Sequence, residues 1–227
     1  MAVSASKGLV IFDCDGVLVD SEPLAAKAYE NVLKRGGMAI PAGIMQGCIG
    51  LKQEDIFARM EQATGQKIPP ELRATLWPET RRLFEAQLQP TAGMVNFLDG
   101  LTARRCVASS SHLERIVLSL RLTRLEDYFG GHIFSTQMVK RGKPAPDIFL
   151  YAAEQMGADP ADCVVIEDSA PGIQGARAAG MTAIGFLGGQ HAGPAHGKVL
   201  AEAGATHLAQ SWAGVARLFT KLQLFAV

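Results

Sequence analysis

The sequence predicts an α/β protein in which a parallel sheet carries a helical insertion after its first strand. Two observations support this. About 70 residues after the first strand candidate have a helical pattern only. From Pro90 onward, short β-like runs alternate with amphipathic helices. Such alternation is typical of a parallel sheet with helices on both faces.

The first strand candidate is residues 8–12, an apolar run that ends in charged residues. A buried strand of a parallel sheet has this pattern, with functional residues at its C-terminal tip. Asp20 or Ser21 then offers an N-cap for the first helix of the insertion, and the glycines at 36–37 end that helix. Pro78 must break or restart a later helix, because proline removes an intrahelical hydrogen bond.

The second part of the chain supplies the rest of the predicted sheet. Its strand candidates are residues 106–108, 132–134, 163–166, 182–186 and 206–208. The helices predicted among them include residues 113–120, 147–156, 172–179 and 212–222. Residues 188–197 are glycine-rich and read as a loop. His191 and His196 lie in that loop without an accompanying ligand cluster, so no metal site is expected there.

Composition limits the possible partners. Charged residues make up 19% of the chain and hydrophobic residues 48%, as in globular domains. The formal net charge is zero, which argues against a nucleic acid or an anionic membrane as partner. The sequence shows neither a secretory signal nor an apolar run of bilayer length. Its cysteines, Cys14, Cys48, Cys106 and Cys163, are scattered without metal-binding spacing, so we expect a reducing, cytoplasmic location.

Polar residues follow three of the predicted strands. Asp13 and Asp15 come after the first, residues 109–111 are three serines after the second, and Glu167 and Asp168 come after 163–166. In an open parallel sheet, ligands bind beyond the C-terminal strand ends. We therefore expect these side chains to form one site.

The residue types at this site suit a metal ion and a phosphoryl group. Neighbouring carboxylates are costly without a cation, and clustered carboxyl oxygens suit Mg²⁺. Lys143 can supply an ammonium group, Ser109 a hydroxyl, and the turn at Gly16 backbone N–H groups for a phosphate dianion. In that setting Asp13 becomes a usable nucleophile that forms an aspartyl-phosphate. Asp15 can then protonate the leaving oxygen and later deprotonate the attacking water.

Four motifs in order carry a family resemblance. They are Phe-Asp-Cys-Asp-Gly-Val-Leu-Val-Asp-Ser-Glu at 12–22, Val-Ala-Ser at 107–109, Lys-Pro-Ala-Pro-Asp at 143–147, and Val-Ile-Glu-Asp-Ser at 165–169 followed by Gly172 and Ala176. The chain thereby resembles the haloacid dehalogenase superfamily, in its branch of small-molecule phosphatases with a helical cap. The resemblance implies a Rossmann-like core of residues 1–19 and 90–227, and a helical cap domain of residues 20–89 inserted after the first strand.

The resemblance also implies roles for single residues. Asp13 would be the nucleophile and a Mg²⁺ ligand, and Asp15 the acid/base that binds the metal through its backbone carbonyl. Asp168 would be the other direct ligand, with Glu167 as a ligand or one shell further out. Ser109 and Lys143 would hold the phosphoryl group. The expected substrate contacts are Gly16, Ser110, Ser111 and His112 in the core and Lys52 in the cap.

Differences within the superfamily narrow the predicted activity. Asp15 argues against dehalogenases and phosphonoacetaldehyde hydrolases, which lack an aspartate there. The β-phosphoglucomutases carry a histidine and a cap arginine where this chain has Ala25 and Gln53. We therefore predict a Mg²⁺-dependent phosphatase of a sugar phosphate or phosphorylated sugar acid, acting as a monomer or homodimer. A phosphomutase of hexose phosphates is the alternative, and a non-catalytic sensor of a phosphorylated ligand is a third hypothesis.

Overall fold

The sheet of the protein has six parallel strands. A computed structural model of the chain describes residues 8–39, 41, 43–48 and 53–225. The strands are β1 (Leu9–Phe12), β2 (Arg104–Ser109), β3 (Ile133–Ser135), β4 (Cys163–Glu167), β5 (Thr182–Phe186) and β6 (His207–Ala209). Their order is β3-β2-β1-β4-β5-β6, and every pairing is parallel. The predicted Rossmann-like α/β fold is confirmed, with a strand at each predicted position.

Helices fill the segments between the strands. The described residues between β1 and Pro90 contain four α-helices: α1 (Glu22–Arg35), α2 (Gln53–Thr64), α3 (Pro70–Ala74) and α4 (Leu76–Gln87). The others are α5 (Met94–Gly100), α6 (Leu113–Leu122), α7 (Asp147–Gln155), α8 (Ala170–Ala178), α9 (His196–Glu202) and α10 (Trp212–Lys221). Pro78 lies in the first turn of α4, where its missing N–H leaves no helical bond unmade.

Strand β1 is the centre of the core because both of its faces are covered. Val10 and Phe12 belong to one hydrophobic cluster, and Leu9 and Ile11 belong to a second cluster on the opposite face. All four side chains are fully buried. Burial of each such side chain contributes about 1.5–3 kcal/mol. The strand is therefore a rigid support for the residue that follows it, Asp13.

The helices after β1 share a third hydrophobic cluster. It includes Tyr29 of α1, Phe57 and Met60 of α2, and Leu83 of α4. The chain enters and leaves this segment at one point, where the N–H of Asp20 donates to the carbonyl of Gln89 at 3.0 Å. The division into a core of residues 1–19 and 90–227 and a cap of 20–89 stays a prediction, and its boundaries coincide with this crossing.

The described residues also bear on the expectations about membrane-spanning helices and about the cysteines. Within residues 8–39, 41, 43–48 and 53–225, no helix has both the length and the apolar character that a membrane crossing needs. The four cysteines are buried with free thiols, as expected for packing residues.

Candidate active site

The candidate site lies at the C-terminal ends of β1, β2 and β4. Asp13 directly follows β1, Ser109 ends β2, and Glu167 ends β4. The N–H of Asp13 donates to the carbonyl of Ile166 at 3.0 Å, which continues the β1–β4 ladder past the end of β1. The sheet thus fixes the backbone of Asp13 between its two neighbouring strands and brings three of the predicted site residues to one edge.

Lys143 joins these strand ends. Its Nζ donates to Asp13 Oδ1 at 2.5 Å, to the carbonyl of Ala108 at 3.0 Å, and to Glu167 Oε1. An ammonium group has three donors, and all three are used. Burial of Lys143 acts to lower its pKa, but the adjacent Asp13 and Glu167 outweigh it and raise the pKa. Lys143 is therefore a fixed positive charge beside the expected nucleophile.

Glu167 is fully occupied by protein donors. Its Oε1 accepts from Lys143, and its Oε2 accepts from the N–H and the hydroxyl of Ser169 at 3.0 and 2.9 Å. The side chain is completely buried. Of the two positions expected for Glu167, metal ligand or one shell further out, this arrangement favours the outer one.

Asp15 is held by three donors. Ser21 Oγ donates to its Oδ1 at 2.6 Å, Ser111 Oγ to its Oδ2 at 2.5 Å, and Arg115 Nη2 to its Oδ1 at 2.7 Å. Burial acts to raise the pKa of Asp15, but the charge of Arg115 and the two hydroxyl bonds outweigh it and lower the pKa. In this arrangement Asp15 is a carboxylate.

Ser21 and Arg115 have functions at Asp15 that the sequence did not reveal. Ser21 occupies the N-cap position of α1, but its side chain makes no cap hydrogen bond, so the predicted capping role is wrong. Its hydroxyl donates to Asp15 instead. Arg115 was missed, although it lies in the first turn of α6, where a cation is unfavourable beside the helix dipole. A basic residue at that position is a signal that it has an acidic partner.

The carboxylates at the site lack sufficient positive charge. They are Asp13, Asp15, Glu167 and Asp168, and the cations among them are the buried Lys143 and the partly buried Arg115. Burial, together with the neighbouring carboxylates, raises the pKa of Asp13 and of Asp168 well above the usual range, and the charge of Lys143 offsets this only in part. Oδ2 of Asp168 is buried and, among the described residues, has no hydrogen-bond partner, although the ring of His191 lies 3.0 Å away. An orphaned oxygen in an acidic cluster fits a divalent cation.

The expected ligands of that cation include few side chains. Among the residues with described positions, no three His, Cys, Asp or Glu side chains already form a ligand set. The set implied by the family resemblance contains only the carboxylates of Asp13 and Asp168, plus a backbone carbonyl. Mg²⁺ usually keeps several water or phosphate ligands, so two carboxylates suffice.

The remaining predicted substrate contacts have different positions. Ser109 is buried, and its Oγ accepts from the N–H of Ser111 at 3.1 Å. Ser110 is exposed and uses its carbonyl to accept from Thr136. His112 is exposed, with Nδ1 2.9 Å from Nε2 of Gln137. Lys52 lies outside the described residues.

Gly16 is required because the turn after β1, in which it lies, packs closely against Asp168, which follows β4. Its φ is +73°, and a Cβ added there would overlap Oδ2 of Asp168 and lie 2.7 Å from Cε1 of His191. Any side chain would therefore displace Asp168 as well as strain the backbone. This explains why a glycine follows Asp15.

The two histidines after β5 lie beside Asp168. Nε2 of His191 lies 3.0 Å from Oδ2 of Asp168, and Nε2 of His196 lies 2.6 Å from the backbone carbonyl of Asp168. These contacts could not be predicted from the sequence, because Asp168 is more than 20 positions away in the chain. The adjacency of β4 and β5 in the sheet brings them together.

Comparisons with known proteins agree with this fold. A family model described as haloacid dehalogenase-like hydrolase matches residues 8–180. The 6-phosphogluconate phosphatase of Escherichia coli is 30% identical over 88% of this chain and 91% of its own length. The β-phosphoglucomutase of Bacillus subtilis is 29% identical over 80% of this chain and 84% of its own. A HAD family hydrolase from Deinococcus radiodurans, solved with bound phosphate and sodium, has a TM-score of 0.80 and 30% identity, and covers 98% of this chain and 99% of that chain.

Proposed function

The chain belongs to the haloacid dehalogenase-like hydrolases and is a phosphoric monoester hydrolase, and on this premise we propose that it hydrolyses a small phosphorylated carbohydrate through an aspartyl-phosphate on Asp13. The observation that carries the proposal is the placement of Asp13. Its carboxylate is buried at the tip of the central strand and contacts Lys143 at 2.5 Å. A carboxylate fixed beside a cation is set up to attack a phosphoryl group whose negative charge would otherwise repel it.

The chemistry has two steps. A carboxylate oxygen of Asp13 forms a bond to phosphorus as the bond to the leaving oxygen breaks, and that oxygen takes a proton from Asp15. Water then attacks the phosphorus of the aspartyl-phosphate, and its proton goes to Asp15. Asp13 is released as a carboxylate together with inorganic phosphate. Lys143 stays protonated throughout, because Asp13 and Glu167 raise its pKa.

Asp15 needs different protonation states in the two steps. The contacts of Ser21, Ser111 and Arg115 favour the carboxylate, which is the form that accepts a proton from water. The first step needs the protonated form. We infer that the Arg115 contact weakens when the leaving oxygen of a substrate lies beside Asp15.

A Mg²⁺ ion would complete the charge balance of the site. Asp13, Asp168 and the backbone carbonyl of Asp15 would hold it, and when bound it would offset charge on the phosphoryl oxygens. Glu167 would act indirectly by fixing Lys143. Ser109 and backbone N–H groups of the turn around Gly16 would bind phosphoryl oxygens. The N–H of Gly16 itself is not one of them, because it donates to the carbonyl of Val19 at 2.8 Å.

Similar proteins support the proposed substrate class, and the helical segment after β1 would select the substrate within that class. The similarity to a 6-phosphogluconate phosphatase supports a sugar phosphate or phosphorylated sugar acid. Residues 20–89 would act as a cap that excludes water and selects the organic part, with Lys52, Ser110, Ser111 and His112 as candidate contacts. A cytoplasmic location and a monomeric or homodimeric state stay predictions from the sequence.

The test measures phosphate release from a panel containing 6-phosphogluconate, hexose phosphates and an aryl phosphate, with Mg²⁺ and with excess chelator. We expect Mg²⁺-dependent release that Asp13→Asn abolishes and that Asp127→Asn, at an exposed aspartate, leaves intact. Beryllium fluoride should bind wild type as a mimic of the phosphoryl group and give a ¹⁹F signal that Asp13→Asn lacks. Full turnover by Asp13→Asn would refute the mechanism.

The same panel, with a hexose bisphosphate added, decides between hydrolase and mutase. The similarity to a β-phosphoglucomutase keeps the phosphomutase as a second candidate. Ala25 and Gln53, in place of the mutase histidine and arginine, favour transfer to water. A requirement for a hexose bisphosphate, with isomerised hexose phosphate as product and little free phosphate, would instead establish the mutase.

A further inference from the structure

His191 is a buried histidine that nothing in the proposed chemistry uses. It lies in the β5 loop, residues 187–195, between the end of β5 and the start of α9. Only 6% of its side chain is exposed, and neither ring nitrogen has a hydrogen-bond partner in the part of the chain that the structure describes. Nε2 lies 3.0 Å from Oδ2 of Asp168, which is also buried and unpartnered. Nε2 and Oδ2 thus face each other and have no other partner among the described residues. Buried polar atoms that are left unsatisfied cost about 1–3 kcal/mol each, so this pairing needs an explanation.

The ring of His191 is seated in a space that two glycines leave open. A Cβ added to Gly16 or to Gly189 would lie 2.7 Å from Cε1 of His191. A Cβ on Gly189 would also lie 2.7 Å from the backbone carbonyl of Gly16. The turn around Gly16 and the β5 loop therefore pack backbone to backbone. The imidazole of His191 lies between them and against Asp168. This is a formed site and not a chance contact of a surface histidine.

His196 contacts the backbone of Asp168. Its Nε2 lies 2.6 Å from the carbonyl oxygen of Asp168. Its ring packs edge to face on that of His191, with ring centroids 5.3 Å apart. The β5 loop and the first residue of α9 thus contact both the side chain and the backbone of Asp168.

We propose that His191 is a positioning residue of the metal site, which holds the carboxylate of Asp168 in the orientation that binds a divalent cation. This inference rests on the proposed function, in which Asp168 is a metal ligand. A carboxylate without an orienting partner rotates, and loss of such a partner typically weakens metal binding about 10–100-fold. Burial lowers the pKa of His191, and the charges of Glu22 and Asp20 offset this only in part.

Binding of Mn²⁺ to the full chain, followed by electron paramagnetic resonance, tests this without reference to turnover. Wild type should bind one ion. His191→Phe keeps a ring but no nitrogen and should bind about 10–100-fold more weakly. His191→Gln, which keeps an amide nitrogen near the position of Nε2, should recover most of the affinity. His132→Gln, at an exposed histidine before β3, is the matched control and should bind as wild type does.

Each result has a defined meaning. His191→Phe that binds Mn²⁺ as tightly as wild type would overturn the inference, and so would ¹⁴N hyperfine coupling from His191, since a direct ligand does not act through Asp168. If circular dichroism shows that His191→Phe does not fold, His191→Ala is judged by the same criterion. Wild type that hydrolyses phosphate esters but binds no Mn²⁺ would refute the proposed metal dependence, and with it this inference; that result is read from wild type alone.

Discussion

Arg115 Nη2 lies 2.7 Å from Oδ1 of Asp15, so the proposed acid/base has a cation of its own, separate from the lysine that serves Asp13. The guanidinium also lies over the ring of Phe84 in α4, with its carbon 5.2 Å from the ring centroid. Arg115 therefore connects a helix of the insertion to the catalytic carboxylate. A movement of α4 relative to α6 would change the environment of Asp15.

Replacement of Arg115 should impair proton transfer. In Arg115→Met, burial raises the pKa of Asp15 without the opposing positive charge, which disfavours the carboxylate form that activates water. We expect kcat to fall by about 10-fold or more. Steady-state phosphate release measures it. Arg121→Met, on the same helix but exposed and paired with Glu126, is the control and should keep wild-type kcat. An unchanged kcat in Arg115→Met would show that Asp15 does not depend on it.

Arg115 and His191 also show which part of the site can be predicted from the sequence and which part cannot. Asp13 and Asp15 were found because both follow one apolar strand and need a cation. Arg115 contacts Asp15 across 100 positions of the chain, and only the packing of α6 brings them together. Likewise, six strands were predicted from short buried runs, whereas α5 and α9 are seven-residue helices that show too little periodicity for detection.

Lys143 should be needed for stability as well as for activity. Its removal in Lys143→Met leaves Asp13 and Glu167 as buried carboxylates without their shared cation, which should cost about 3–5 kcal/mol in the free energy of unfolding. The double variant Lys143→Met/Glu167→Gln removes one of those charges and should recover part of the stability but no activity. Urea unfolding and phosphate release measure the two effects. A double variant that is less stable than the single one would contradict this account.

Gly16 should be needed because of Asp168 more than because of its own backbone angle. Gly16→Ala combines a positive φ with overlap between the new Cβ and Oδ2 of Asp168. Gly131 has a φ of +83° but no atom within 4 Å of an added Cβ, so Gly131→Ala carries the strain alone. Each should lose about 1 kcal/mol of stability from strain, and only Gly16→Ala should also lose Mn²⁺ binding and turnover. Equal metal affinity in both variants would rule out the overlap as the cause.

Glu79 of α4 lies in the helical segment after β1 and should make the free energy of unfolding depend on pH. It is buried and accepts hydrogen bonds from Asn31, Arg35 and Arg82. The bond from Arg82 is the main reason that its pKa falls from 4.5 to about 2, against the effect of burial. A carboxyl with a lowered folded-state pKa contributes stability above its unfolded pKa, and the contribution disappears as the pH falls through the folded value.

Glu79→Gln should therefore be less stable than wild type by about 1 kcal/mol at pH 7, a modest value because Arg35 and Arg82 are more than half exposed and screened. The difference should remain full down to about pH 4.5 and shrink as the pH falls toward 2, since wild type loses the contribution that the variant never had. Urea unfolding at pH 7, 4.5 and 3 measures it. Glu71→Gln, at an exposed glutamate of α3, should show no such trend. A difference that stays constant over this range would mean that Glu79 stabilises α1 and α4 by shape and hydrogen bonding rather than by its charge.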